Sequence, residues 1–425
     1  MNYQQAVDYL YGLERFGWKL GLDRMRTLMD SLDNPQDKIR YIHIAGTNGK
    51  GSVAAMVESV LRSAGYRTGL YTSPHLQNVR ERIRLDGAMI TEQEFASIMT
   101  RLKPVCDDMQ CTFFEVITAL AFVSFASYPV DYVALETGLG GRLDATNIIK
   151  PMVSVFTGID LEHTEHLGTE IAMIAHEKAG IIKSGVPCVI GQLPAAAEQE
   201  IINTCKQNNS ALVRAEQRCR CDRVTLLSGS TDFDLTIDHK LIGRISLPLP
   251  GMHQAANAQI AAAALAVLRD NNVTIQNQSF SDGLSSVCWP GRLQTVCTDP
   301  YIIIDVAHNP AAFAQLAAHL HKVFADYQIK FIFGLLKDKD LPASVQILAP
   351  LAQAVYIVRV ESERSLDPEI IAQQFGGRVP VQTFSTVKAG FRHAIQDYQP
   401  GQLFCVTGSH YLVGEVLDEI NNLTR

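Results

Sequence analysis

What the sequence does not contain excludes several common protein classes. It has no run of consecutive apolar residues near the ~20 that a membrane-spanning helix requires. The uncharged stretch Val116–Val130 is shorter and holds Ser, Thr and Pro. There is no long basic run, and the net charge is −7, so neither a nucleic acid nor a membrane is an expected partner. The nine cysteines are scattered and odd in number. Cys219 and Cys221 are too close together for a Cys-x-x-Cys site, and Cys106 and Cys111 have no His or Cys partner at a zinc spacing. Reduced thiols in a soluble, cytoplasmic protein are expected. The opening residues, MNYQQAVDYLYGLERFGW, carry Asp8 and Glu14 and read as an amphipathic helix, not as a signal peptide. No internal repeat or low-complexity segment is present.

Apolar material is plentiful. The chain has 425 residues, 47% hydrophobic and 19% charged, enough for two or three folding units with large cores. Tyr41–Ala45, Asp131–Leu135, Met152–Thr157 and Val186–Ile190 are short apolar runs of the kind that form buried parallel strands. Helical patterns between them, such as Ser52–Ala64, predict a doubly wound, mostly parallel α/β sheet. From about Ser210 to Pro250, alternating runs such as FDLTID and HKLIGRISL predict a small antiparallel patch, and Gln254–Leu268 a buried helix. The pattern restarts near Trp289-Pro290-Gly291. Tyr301–Val306, Lys330–Leu335, Ala354–Val358 and Leu403–Thr407 predict four strands with helices between them. The boundary is expected near residue 295, with a central domain over 1–295 and a smaller Rossmann-like α/β domain over 296–425.

The stretch Ile44-Ala45-Gly46-Thr47-Asn48-Gly49-Lys50-Gly51-Ser52 lies between a predicted strand and a predicted helix. Glycines there let backbone amides turn towards an anion, and the helix N-terminus adds positive potential. Lys50 would reach the terminal phosphates of a nucleotide, and Ser52 could face Mg2+. The match to the general P-loop pattern is imperfect: Ile44 stands at the first glycine position, and Gly51 separates Lys50 from Ser52. An ordinary glycine-rich turn is the alternative. The order strand, turn, lysine, hydroxyl, helix favours the P-loop.

Glu136 ends the run DYVALE, and ligands of open α/β sheets gather at the carboxyl ends of strands. A carboxylate beside a phosphate loop is well placed for Mg2+. His163 and His166 follow MVSVFT among Asp160, Glu162 and Glu165, residue types from which metal sites are built. Taken alone, Ser73-Pro74-His75 reads as a capped turn, and Lys178 as part of a surface helix ending at Gly180. In the second unit, Asp305-Val306-Ala307-His308-Asn309-Pro310 follows a strand. Asn309 and Pro310 suit a helix N-terminus and leave Asp305 and His308 for other work. GLLKDKD after Lys330–Leu335 and TGSHY after Leu403–Thr407 complete three polar loops at strand ends, which make a cleft. A nucleotide is expected between the two domains, with closure excluding water.

Together GTNGKGS, TSPHL followed by VRERI, TFFE, ETGLGGRLDATN, HEKAGIIK, PGRLQ and DVAHNP resemble folylpolyglutamate synthase and dihydrofolate synthase, the folate branch of the Mur ligase superfamily. The resemblance implies an ADP-forming amide ligase that adds L-glutamate to a folate, and also to dihydropteroate, through an acyl phosphate. It implies ATP as co-substrate, with Gly49, Lys50, Gly51 and Ser52 on its phosphates and Asn257, Arg292 and Asp305 as further contacts. Ser73, Glu136 and His163 match Mg2+ ligands. Lys178 matches a lysine that is carbamylated to hold a second Mg2+. Thr112, Phe114, Leu143, Asp144 and Ala145 match the folate side, with Lys19–Leu22 as a weaker match. Arg82, in a loop that in this family reaches the interdomain cleft, is counted with the folate-binding residues. Lys50, Lys178 and His308 are the expected catalytic residues, with His308 and Ser409 offered to the glutamate. A monomer is implied. Ser73 and Lys178 thereby change from structural to functional expectations.

Three rival readings make different demands. A cell-wall Mur ligase acting on a UDP-linked substrate carries a whole domain before its phosphate loop, whereas 45 residues precede Gly46 here. A P-loop switch protein would hydrolyse nucleotide without glutamate and would not need the second unit. A binding module with a dead site would release no ADP with any folate.

Overall fold

A computed structural model describes residues 1–17, 19 and 21–423, which form two compact units. Unit 1 comprises 1–223, 233–245 and 256–287, and unit 2 comprises 224–232, 246–255 and 288–425. The continuous part of unit 2 therefore begins at Cys288, ahead of the expected 295, and the unit also takes two earlier segments.

Unit 1 is built on eight strands: β1 (Tyr41–Ala45), β2 (Thr68–Tyr71), β3 (Ile83–Leu85), β4 (Ala88–Met89), β5 (Tyr132–Glu136), β6 (Val153–Phe156), β7 (Cys188–Ile190) and β8 (Leu212–Arg214). Their order is β4-β3-β2-β5-β1-β6-β7-β8. All pairings from β2 to β8 are parallel, and β3 and β4 add an antiparallel edge. Every residue of β1, β2, β5, β6 and β7 is buried, which is why these runs are apolar without alternation. The chain leaves β1 towards β2 and β5 on one side and later returns to β6 on the other. The carboxyl end of β1 is thus the point where the winding reverses, the usual binding crevice of such sheets.

Two helices fix the surroundings of that point. Phe113–Ser127 takes in most of the uncharged run Val116–Val130, and it is buried on nearly all sides in a large core cluster. Its N-terminus is closed by a reciprocal Thr112–Glu115 capping box. Lys50–Ser63 follows the glycine loop and is buried from Gly51 to Leu61. The helix Asn277–Ser285 presses on it so closely that a Cβ at Gly283 would lie 2.4 Å from Val60 Cα. The Ser59 hydroxyl donates to the Gly283 carbonyl at 2.7 Å. No helix among the described residues is long and apolar enough to cross a membrane.

The small sheet holds β9 (Cys219–Leu226), β10 (Thr231–Ile237) and β11 (Lys240–Leu247) in the order β11-β10-β9. It starts later than the expected Ser210, because Leu212–Arg214 pairs with β7 and extends the large sheet instead.

The main sheet of unit 2 has six strands where four were expected. They are β12 (Gln294–Thr298), β13 (Tyr301–Asp305), β14 (Gln328–Phe333), β15 (Ala352–Val358), β16 (Val381–Phe384) and β17 (Gln402–Thr407), in the order β12-β13-β17-β14-β15-β16. The two missed strands are the edges. They are short and half-exposed, and polar residues interrupt their apolar pattern. All pairings are parallel except β12 with β13. Asn309 caps the helix Pro310–Val323 by accepting from the Ala312 amide at 2.9 Å. All nine cysteines are free thiols.

Two predictions concern stability. Burial lowers the pKa of His43 to about 3 and of His253 and His319 to about 4, from the ordinary 6.5. These imidazoles stay neutral in the fold while the unfolded chain takes up protons below pH 6.5, so stability falls as pH drops from 6.5 towards 4. Neither ring nitrogen of His319 has a hydrogen-bond partner among the described residues. His319→Leu is therefore expected to flatten the decline in urea midpoint over that range by about 1–3 kcal/mol. Gly283→Ala forces two helices apart and is expected to destabilise the chain by about 1–3 kcal/mol in the same assay.

Candidate active site

The glycine loop is shaped by positive φ at two positions and by donors aimed at its carbonyls. Gly46 has φ +153°, and a Cβ there would sit 2.0 Å from Thr157 Oγ1. Gly49 has φ +87°, and a Cβ would sit 2.6 Å from the Asn257 side-chain oxygen. Both positions demand glycine. Lys178 Nζ donates to the Gly46 carbonyl at 2.7 Å, Lys50 Nζ to the Thr47 carbonyl at 3.0 Å, and Thr157 Oγ1 to the Asn48 carbonyl at 2.6 Å. The loop is also tied to the chain after β6. The Thr47 amide donates to the Gly158 carbonyl at 2.6 Å, and the Asp160 amide donates to Thr47 Oγ1 at 3.0 Å. Helix Lys50–Ser63 then starts at once, with Gly51 and Ser52 buried in a first turn whose amides have no partner within the helix.

Strand ends bring three expected residues together. Lys50 Nζ lies 3.9 Å from Glu136 Oε1, with both side chains mostly buried. The Ser73 amide donates to Glu136 Oε2 at 3.0 Å. Lys50, Glu136 and Ser73 thus share the carboxyl edge formed by β1, β5 and β2. Lys178 is buried, and its pKa is lowered to about 7, first by desolvation and then by the charge of Lys50, against weaker pulls from Glu162, Asp144 and Asp160. Sequence alone reads Lys178 as part of a surface helix; the fold buries it against the loop. His163 is exposed, with φ +53°, at the head of the short helix Thr164–Leu167 after β6. Among the described residues no three His, Cys, Asp or Glu side chains converge as a metal cluster.

The residues expected on the folate side frame a second edge of this region. Thr112 caps its helix, and the Phe114 ring lies against Gly138, where a Cβ would approach to 2.3 Å, and 6.2 Å from the Tyr71 ring. Asp144 is turned inward. Its carboxylate accepts from the amides of Gly138, Leu139 and Thr146 at 3.0, 2.9 and 3.1 Å, so it shapes the loop after β5. Burial raises its pKa, and those hydrogen bonds oppose the rise. Leu143 is half-buried and Ala145 buried beside it. Arg82 is buried and donates from Nε to His75 Nδ1 at 2.9 Å. Lys19 donates to the Gln110 carbonyl at 3.2 Å; Leu20, in the same expected stretch, lies outside the described residues.

Asn257 belongs to unit 1, whereas Arg292 and Asp305 belong to unit 2. The Asp305 carboxylate accepts from the amides of Leu293 and Ala307, both at 2.8 Å; burial raises its pKa and Arg292 pulls it down. His308 Nδ1 donates to the Val306 carbonyl at 2.8 Å, and its ring lies 5.4 Å from that of His410. The three polar loops do meet at the edge of this sheet. The Gly408 amide donates to the Ala307 carbonyl at 3.0 Å, and a Cβ at Gly408 would lie 2.3 Å from the Gly334 carbonyl. Ser409 is buried, and its hydroxyl caps the following helix by accepting from the Leu412 amide.

Sequence reasoning missed Thr157 and the partners of Arg82. The signal for Thr157 was available, because a hydroxyl directly after a buried strand next to a phosphate loop is placed to brace that loop. No local pattern marks the Arg82 partners, His75 seven residues before it and Phe113 in the helix Phe113–Ser127.

Two family matches cover most of the chain: the Mur ligase middle domain over residues 44–265, and the Mur ligase glutamate ligase domain over 291–410. The dihydrofolate synthase/folylpolyglutamate synthase of Bacillus subtilis is 36% identical over 85% of this chain and 86% of its own length. The folylpolyglutamate synthase of Lacticaseibacillus casei is 33% identical over 98% of both chains. Among solved structures, Mycobacterium tuberculosis folylpolyglutamate synthase complexed with ADP superposes with a TM-score of 0.91 at 32% identity, over 98% of this chain and 99% of that one. An Escherichia coli relative in complex with DHPP and ADP gives 0.88 at 31% identity, over 100% of this chain and 99% of that one. With this likeness running through both units and through the loops that carry the site, the chain belongs to the Mur ligase family, in its folylpolyglutamate synthase and dihydrofolate synthase branch.

Proposed function

We propose that this protein is an ATP-dependent ligase that adds L-glutamate to a folate and to dihydropteroate, forming an amide and releasing ADP and phosphate. The observation that carries the reading is the loop Gly46–Gly49 with Lys50 beside Glu136, a phosphate site at a sheet edge in the branch to which the chain belongs. Relatives named for both activities support the double substrate range, and the complexes of the Mycobacterium tuberculosis and Escherichia coli proteins with ADP support the nucleotide.

ATP is taken to bind with its phosphates on Gly49, Lys50, Gly51 and Ser52, and with Asn257, Arg292 and Asp305 as further contacts. Lys50 offsets charge on the γ-phosphate as a substrate carboxylate attacks it, a reaction that depends on positioning and charge stabilisation. The bond from the γ-phosphorus to its bridging oxygen breaks, and an acyl phosphate and ADP form. The glutamate amine then attacks the acyl carbon, and the tetrahedral intermediate collapses to amide and phosphate. The amino acid is assigned to the carboxyl edge of unit 2, with His308 and Ser409 as its contacts.

The donor set suits Mg2+. Ser73 and Glu136 offer hard oxygen ligands side by side, and His163 is the third residue assigned to it. Lys178 suits carbamylation, because an amine with a pKa of about 7 is substantially neutral near physiological pH and can add to CO2. The carbamate would supply a carboxylate for a second Mg2+. Bound there, divalent ions would neutralise phosphate charge. The protein is read as a monomer that acts in the cytoplasm.

Lys50→Ala is expected to lower glutamate-dependent ADP release by about 10³-fold while leaving the thermal midpoint near that of the parent protein. Near-normal turnover would defeat the assignment. Carbamylation needs the neutral amine, so it is favoured as pH rises through about 7. Native mass measurement in bicarbonate is expected to show one added CO2 at pH 8, little at pH 6, and none at either pH in Lys178→Arg.

A further inference from the structure

Arg24 stands at the wrong end of its own helix for a cation. It lies in the first turn of Asp23–Asp30, where the helix dipole disfavours positive charge. Its contacts lie elsewhere, in two segments far apart in the sequence. Arg24 Nε donates to the Glu115 carboxylate, at 3.0 Å to Oε1 and 3.3 Å to Oε2. Its terminal Nη2 donates to the Lys19 carbonyl at 3.1 Å. The Lys19 amine adds a second tie, donating to the Gln110 carbonyl at 3.2 Å. The Glu115 side chain is only 4% exposed, so its pairing with Arg24 takes place largely out of water.

Glu115 in turn fixes Thr112. Its Oε2 accepts from the Thr112 amide at 2.8 Å and from the Thr112 hydroxyl at 3.0 Å. The hydroxyl has one proton, and that proton is committed to Glu115. Towards a ligand, the Thr112 oxygen can therefore only accept. The helix Asp23–Asp30 is seated independently of this network, because Met25, Leu28 and Met29 are buried in the core of unit 1. Removing the guanidinium leaves that helix in place and releases the Lys19 backbone and the Glu115 carboxylate from each other.

We propose that Arg24 is a positioning residue for the folate-class acceptor: one guanidinium joins the Lys19 carbonyl to the Glu115–Thr112 cap, and so sets the spacing between the Lys19 backbone and the helix start that carries Thr112 and Phe114. The inference rests on the function proposed above, with these two segments on the folate side. The forked shape is what the task requires. Nε and Nη2 point to different partners, and the single ammonium of a lysine cannot serve both. The effect falls on acceptor binding and not on ATP or on the chemical step.

Steady-state ADP release by the full chain tests it, with tetrahydrofolate and dihydropteroate as acceptors at saturating ATP and glutamate. The ATP KM is measured in turn at saturating acceptor, beside thermal midpoints. Arg24→Met keeps the apolar stem and removes both hydrogen bonds. It is expected to raise the acceptor KM about 10- to 100-fold, with kcat within about threefold of the parent value and the ATP KM unchanged. Arg24→Lys keeps the charge and one partner, and its acceptor KM is expected to rise only about 3- to 10-fold. Combining Arg24→Met with Glu115→Gln is expected to raise the acceptor KM no further than the larger single effect, because both act through one contact. An unchanged acceptor KM in Arg24→Met overturns the proposal. So does a loss shared equally by ATP and acceptor, a Lys variant no better than Met, or effects of Arg24→Met and Glu115→Gln that add in full. Should Arg24→Met fail to fold, Arg24→Lys decides: a rise confined to the acceptor KM upholds the proposal, and a parent-like value overturns it. If the parent protein turns over neither acceptor, the proposed function falls, and this inference with it.

Discussion

A phosphate loop can hold an anion only if its carbonyl oxygens are turned away from it, and in this protein three consecutive carbonyls are each held by a side-chain donor. Lys178 takes Gly46, Lys50 takes Thr47, and Thr157 takes Asn48. The Thr47 amide is held in turn by the Gly158 carbonyl, so the loop is pinned at the end of β1 from both its oxygen and its nitrogen side. The positive φ values at Gly46 and Gly49 serve that geometry, and so does the burial of the helix that follows. Much else in unit 1 exists to keep those three donors in place. β6 delivers Thr157, the helix Ile171–Ala179 delivers Lys178, and Glu136 at the end of β5 sits close enough to Lys50 to share its charge.

The same arrangement sets the electrostatics. Two lysines converge on one loop, and the more deeply buried of them cannot hold its proton firmly. Desolvation is the larger cause, and the neighbouring Lys50 adds to it. Glu162, Asp144 and Asp160 pull the other way without cancelling the effect. That lowered pKa is what makes the carbamylation proposed for Lys178 chemically open to it.

Much of the fold was legible in the sequence, for identifiable reasons. The runs Tyr41–Ala45 and Tyr301–Val306 were found almost to the residue, because strands buried on both faces must be apolar throughout. Gln294–Thr298 and Val381–Phe384 escaped because edge strands face water on one side and carry threonine and glutamine. In the candidate site, the gathering of Gly49, Lys50 and Glu136 at strand ends could be read from local order alone. Ser73 and Lys178 could not. Each looks like an ordinary turn or helix residue until the sheet brings its backbone or amine against Glu136 or Gly46, and only the resemblance marked them. Asp144 matched the folate side by resemblance, and the fold shows what no local pattern could, that its carboxylate accepts from three backbone amides. The Tyr11 contact with His75 joins segments 64 residues apart, a relation no local pattern can carry.

The division of the chain into two units has a consequence for how the protein is made. The polypeptide passes from one unit to the other five times, at residues 224, 233, 246, 256 and 288. Unit 1 is therefore incomplete when its phosphate loop has long left the ribosome, and it must wait for the helix Asn277–Ser285 to cover Val60. Unit 2 has pieces in place before its main sheet is synthesised. Neither unit is a bead on a string, and neither can be exchanged between relatives by a single cut. The two halves of the ligase are obliged to be inherited, and to fold, as one sequence.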